Sequence, residues 1–133
     1  MMSDTPWPHF TNAELTCRCG CGRMEMQADF MHKLESLREV FGRPMPVTSG
    51  YRCPEHNAAI SVTGSNGPHT SGAAVDVLVS GQDAYDLIDL AKAAGMSGVG
   101  VKQHGPHRSR FIHLDALPRA ANQPRPTIWS YPK

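Results

Sequence analysis

The sequence is short of the features that mark several large functional classes. No apolar run approaches the roughly 18 residues that a membrane span needs, so no integral membrane segment is expected. Lys plus Arg number 13 against 12 Asp plus Glu, a formal charge of +1, without the basic excess or stripe of a nucleic-acid binder. The opening Met1-Met2-Ser3-Asp4-Thr5-Pro6-Trp7-Pro8 lacks both the basic flank and the apolar stretch of a secretory signal, which predicts a cytoplasmic protein on synthesis. There is no internal repeat and no βαβ rhythm. At 133 residues the chain has room for one domain and one modest core. A monomeric α+β domain is expected.

What the chain has in plenty is Gly, Pro and His, at 12, 11 and 7 residues. The first two imply many turns, and the third supplies frequent metal ligands whose placement decides their use. Residues 1–11 read as an irregular arm because Pro6 and Pro8 oppose helix. Phe30, Leu34, Leu37 and Phe41 recur at helical spacing, and Gly42 and Pro44 end the run. Val47-Thr48-Ser49 is a strand candidate, Pro54 opens a helix to about Ile60, and residues 61–72 are loop by composition. Ala73 to Val79 reads as a buried strand with Asp76 inside it. A second helix is expected from about Gln82 to Ala94, with Ser80 and Asp83 as a cap-like pair. Its inner face would be Tyr85, Leu87, Ile88, Ala91 and Ala94. Residues 98–101 and 110–114 look like strands, joined by a loop that carries His104 and His107. Four prolines after Leu117 make the tail extended, pinned by Trp129 and Tyr131. Residues 1–117 then form the working domain with its arm, and 118–133 a Pro-rich tail packed on it.

Two placements stand out chemically. A carboxylate in an apolar strand costs several kcal/mol unless it is paired or bound to a metal, and Asp76 is such a residue. His69 lies seven residues earlier, at the end of a polar loop able to fold back towards it. The alternative is a buried Asp tied to backbone amides beside a surface His. His113 and Asp115 form the second placement, since residues i and i+2 of a strand share a face. For an isolated His-x-Asp, a plain hydrogen-bonded pair is the more usual explanation. Taken together, His69, Asp76 and His113 offer three ligands to one zinc ion and leave a fourth position for water, the stoichiometry of a catalytic site. Asp115 is available as proton acceptor and Arg52 as the cationic group for a developing oxyanion.

Thr48-Ser49-Gly50-Tyr51-Arg52-Cys53-Pro54-Glu55-His56-Asn57, then His69-x-x-Gly72-x-Ala74-x-Asp76, then Phe111-Ile112-His113-Leu114-Asp115, resembles the zinc D-alanyl-D-alanine carboxypeptidase family. That family shares its fold with the hedgehog signalling domain. The resemblance spans roughly residues 10–117. It implies a single α+β domain, a small antiparallel sheet packed against helices, and peptidase action on the stem peptides or cross-links of bacterial peptidoglycan. By position His69, Asp76 and His113 resemble its zinc ligands. Arg52 resembles the arginine that contacts the substrate's carboxylate or scissile carbonyl, with Ser49 and Tyr51 expected beside the substrate. Two positions depart from the pattern. Gly67 stands where relatives often have Ser. Arg110 stands where many carry an acidic base, which leaves Asp115 as the acidic candidate and His104 or His107 behind it. Short size, missing signal and the implied cell-wall chemistry together resemble phage-type lysis enzymes of this family, which act on the wall after release. The runner-up is a non-catalytic zinc module that binds cell-wall peptides or a protein partner.

Cys17, Cys19, Cys21 and Cys53 would suffice for a structural zinc site or two disulfides. Cys-x-Cys-x-Cys is not a standard zinc spacing, and a cytosolic start disfavours disulfides, so free thiols are the expectation. His9, His32 and His56 read as surface or capping residues, and Met24, Met26 and Met31 as core filler.

Overall fold

The computed structural model describes residues 7–133, so the expected arm lies partly outside the described residues. A one-turn helix α1 (Asn12–Leu15) follows it, too short for apolar periodicity to reveal. Its start is a capping box: the Glu14 N–H donates to Thr11 Oγ1 at 3.2 Å, and the Thr11 N–H donates to the Glu14 carboxylate at 2.9 Å. Glu14 also accepts from the Val47 N–H at 2.8 Å, which ties α1 to the first strand while Leu15 enters the core.

Helix α2 (Ala28–Phe41) buries Phe30, Leu34, Leu37 and Phe41 as the spacing predicts, with Met31 beside them. Gly42 ends it in the left-handed region at φ +68°. Strand β1 (Val47–Ser49) and helix α3 (Pro54–Ile60) follow as expected. The polar stretch after them holds two 3₁₀ turns before β2 (Ala74–Leu78). Helix α4 (Gly81–Ala93) turns Ala84, Leu87 and Ala91 inward. Tyr85 sits one position off that stripe and is 78% exposed, contrary to the expected inner face. The expected cap pair also fails. The Ser80 side chain makes no capping bond, and Asp83 accepts from Arg43 at 2.7 Å instead.

Strands β3 (Gly98–Lys102), β4 (Phe111–Asp115) and β5 (Thr127–Ser130) complete one sheet of order β1-β2-β4-β3-β5. The sheet is mixed rather than wholly antiparallel, because β5 runs parallel to β3. The tail crosses as a Pro-rich segment. It then offers a proline-free run rich in strand-forming residues, Thr127-Ile128-Trp129-Ser130, to the open edge of β3. One sheet face carries Val75, Val77, Val99, Ile112 and Leu114 into the core with the inner faces of α2 and α4. Alternation along the strands sends their neighbours to the opposite face.

Candidate metal centre

On that opposite face one register row crosses all five strands: Ser49, Asp76, His113, Gly100 and Trp129. Gly100 lacks the side chain that would collide with the Trp129 indole, whose ring lies 5.0 Å from that of His113. His69 arrives from the 3₁₀ turn Pro68–Ser71 and folds over the row. His69 Nε2 lies 3.2 Å from Asp76 Oδ1, and His113 Nδ1 lies 3.0 Å from the same oxygen. All three residues are buried.

The outer nitrogens fix the inner ones. His69 Nδ1 lies 2.8 Å from the Gly50 carbonyl, which can only accept, so Nδ1 carries the proton. His113 Nε2 lies 2.8 Å from the Asp115 carboxylate, which likewise accepts. In neutral rings the lone pairs of His69 Nε2 and His113 Nδ1 therefore both point at a carboxylate. Three acceptors converge, and a cation must lie among them, either protons or a metal. A tetrahedron with bonds of about 2.0–2.1 Å has edges of about 3.3 Å, close to the two separations found here. The donor set thus suits a divalent ion such as zinc, with each imidazole held by a partner on its far nitrogen. Burial opposes charge on Asp76. Hydrogen bonds and charge from His113 and His69 outweigh it and hold the carboxyl well below the usual range.

Asp115 is placed behind His113, not in the cleft. It is fully buried, and Arg125 grips it with Nε at 2.9 Å from Oδ1 and Nη2 at 2.8 Å from Oδ2. Burial raises its proton affinity, but His113 and Arg125 outweigh this and keep the carboxyl below its ordinary range. Both its oxygens are engaged, so its position suits orienting His113 rather than accepting a proton from water in the cleft. Arg125 was invisible as a site residue, since a lone Arg in a Pro-rich tail carries no local pattern. Gly98, opposite Asp115 in the register, makes room for this pair, because an added Cβ would press into the carboxylate. Gly98→Ala is expected to cost about 1–3 kcal/mol as an overpacked core site does, read as a lowered midpoint in urea unfolding.

A cleft of about 670 Å³ opens above the row, lined among others by Arg52, Asn57, His69, Asp76, His113, Trp129 and Tyr131. Arg52 Nε donates to Ser49 Oγ at 3.1 Å and Nη1 to Asn57 Oδ1 at 2.9 Å, while Nη2 stands 3.6 Å from Asp76 Oδ2. Asn57 is buried, and its amide also donates to Thr63 Oγ1 and the Gly64 carbonyl, fastening the 61–72 loop to Arg52. Gly67 belongs to this knot, since Thr63 and Asn57 occupy the space that a side chain there would need. Ser49 and Tyr51 do not line the cleft. Ser49 positions Arg52, and Tyr51 is buried against Cys17 and Cys53. His104, His107 and Arg110 are also outside it, and Arg110 donates to the Gly105 carbonyl at 2.9 Å. Among the described residues Asp76 is the sole carboxylate on the cleft wall. Burial and the charge of Asp76 push the Tyr131 phenol up to about 12, so it stays a proton donor at neutral pH.

No helix among the described residues is long and apolar enough to cross a membrane. No curated protein matches the sequence. The family model described as Peptidase M15 matches residues 8–115, a span that contains all three motifs and the converging His69, Asp76 and His113. The chain therefore belongs to the Peptidase M15 family, the zinc D-alanyl-D-alanine carboxypeptidase-like metallopeptidases.

Proposed function

We propose that the protein is a zinc peptidase hydrolysing peptide bonds in the stem peptides or cross-links of bacterial peptidoglycan, with His69, Asp76 and His113 as its zinc ligands. The observation that carries this is the convergence of their donor atoms in the cleft of a Peptidase M15 chain. Bound there, zinc would polarise an amide carbonyl and lower the pKa of water towards neutrality. Arg52 is held by Ser49 and Asn57 so that its remaining guanidinium edge meets the substrate's carboxylate or scissile carbonyl oxygen. Tyr131 offers a second donor on the cleft wall. Ile60 and Val62, exposed at the cleft, supply apolar contacts for the small side chains of a stem peptide. Asp115, through His113, keeps the imidazole in the tautomer that presents Nδ1. A phage-type lysis role, with the protein made in the host cytosol and reaching the wall after membrane failure, is the setting proposed for it.

Arg52→Ala is expected to leave zinc in place and to lower turnover about 10²–10³-fold, the usual effect of removing one preorganised donor to a developing oxyanion. Purified peptidoglycan digested with the native protein, followed by fragment masses, tests the function and identifies the bond cut. One observation favours a second reading: no carboxylate besides Asp76 lines the cleft among the described residues. On that reading the protein is a zinc module that binds wall peptides without cutting them. Retention of the peptides with no new fragment masses, across several wall chemotypes, would establish it in place of the peptidase.

A further inference from the structure

The four cysteines take no part in the cleft, yet they meet at one point. Cys17 Sγ lies 3.5 Å from Cys19 Sγ and 3.7 Å from Cys53 Sγ, and Cys19 Sγ lies 3.6 Å from Cys53 Sγ. Cys21 joins them, with all four sulfurs within 4.8 Å of one another. We propose that Cys17, Cys19, Cys21 and Cys53 hold a second, structural zinc ion that fastens the N-terminal loop to the turn bearing Arg52. The assignment stands on the sulfur geometry and does not depend on the His69 centre.

Tetrahedral zinc with bonds of about 2.3 Å to sulfur sets its ligands about 3.75 Å apart, which the three near-equal separations approach. Two disulfides would instead divide the sulfurs into two close pairs and separate the pairs. Four thiolates fill a tetrahedron and leave no position for water, as a structural site requires, and sulfur selects zinc over magnesium or calcium.

The sequence had to be bent to achieve this. In an extended Cys-x-Cys-x-Cys run, alternate side chains share a face but stand nearly 7 Å apart along the strand. Gly20 and Gly22 adopt φ +90° and +79°, which side-chain-bearing residues resist, and they curl the loop so that its three sulfurs converge. Cys53 comes from the far side. Its own N–H donates to Cys17 Sγ at 3.3 Å, and the His56 N–H donates to Cys53 Sγ at 3.4 Å, contacts that stabilise charge on sulfur.

Cys17, Tyr51 and Cys53 form a small cluster of their own, with Met26 packed on it, apart from the main core. The Tyr51 N–H donates to the Leu15 carbonyl at 3.1 Å, and the Arg52 N–H donates to the His69 carbonyl at 3.2 Å. An ion at the cysteines would thus anchor Cys53, the residue next to Arg52, which reaches the cleft. Small domains with limited cores gain most from such a staple.

The test is elemental analysis of the full-length native protein and of two variants, His69→Ala and Cys19→Ser/Cys21→Ser, which changes only exposed cysteines. The native chain should carry two zinc ions and His69→Ala one. Cobalt replacing zinc in His69→Ala should show thiolate-to-cobalt charge-transfer absorption, lost in the cysteine variant. A His69→Ala chain that folds without zinc or thiolate-bound cobalt would overturn the proposal, as would iron in place of zinc. So would an intact mass about 2 Da low for each oxidised cysteine pair. Should the cysteine variant fail to fold, the His69→Ala result still decides. Absence of cell-wall cleavage by the native protein, with the cysteine-bound zinc present, would count against the peptidase reading alone.

Discussion

Asp76→Asn is expected to leave a folded protein that no longer binds zinc in the cleft and no longer cuts peptidoglycan. The substitution keeps the volume of a residue that is 6% exposed in the middle of β2. Its new amide can donate to His113 Nδ1 or His69 Nε2, whose lone pairs otherwise meet the carboxylate at 3.0 and 3.2 Å. Folding therefore tolerates the change. Metal binding does not, because a neutral amide replaces the only anionic ligand of the three. Loss of a supporting partner of a metal ligand typically costs about 10–100-fold in affinity, and loss of the ligand should exceed that. Zinc per chain, measured after dialysis, should fall by one ion. The thermal midpoint should also stop responding at that site, where saturation at about 100 times Kd stabilises a native site by about 2.7 kcal/mol. Undiminished zinc content in Asp76→Asn would remove Asp76 from the ligand set.

The parts of this arrangement that could be read from the sequence share a property: each is a pattern within one element. The stripe Phe30, Leu34, Leu37 and Phe41 announced α2, and an aspartate in an apolar run announced Asp76 as anomalous. The shared face of His113 and Asp115 was equally legible, since it needs only the alternation of a strand. What Asp115 does there was not legible. Its role turns on Arg125, ten residues later beyond a proline-rich crossing, and no local spacing predicts that meeting. Asn57 sits in a motif whose residues were all noticed, yet its work is to tie Arg52 to Thr63 and Gly64 across a loop. Strand β5 was missed because proline counts over the whole tail hid a proline-free stretch long enough to pair with β3. Long-range partnership, rather than local pattern, separates the two groups. It is also why the sulfurs of Cys17, Cys19 and Cys53 could be counted in the sequence but not seen to converge.

Arg125→Ala is expected to give the largest loss of stability of any single change at the site, about 3–5 kcal/mol, because it strands a buried carboxylate without its cation. Asp115 has no exposed surface, and Arg125 supplies two of its hydrogen bonds, at 2.9 and 2.8 Å. The remaining donors, His113 at 2.8 Å and the Leu117 N–H at 3.3 Å, cannot balance a full charge at that depth. Arg125 also lies over the Trp129 ring at 5.3 Å, so its loss loosens the indole packed on His113. For a chain of this size the thermal midpoint should drop by roughly 10–20 °C. Two consequences can be separated with Asp115→Asn/Arg125→Met, which removes both charges at similar volume. Replacing a buried ion pair together is often close to neutral, so this double variant should recover more than half of the lost stability. Zinc affinity at the cleft should nevertheless remain below that of the native protein, since an amide holds the His113 tautomer more weakly than a carboxylate. Equal zinc affinity in the double variant and the native protein would mean that the Asp115–Arg125 pair serves only the fold. A single Arg125→Ala variant as stable as the native chain would mean that the buried carboxylate has found another partner.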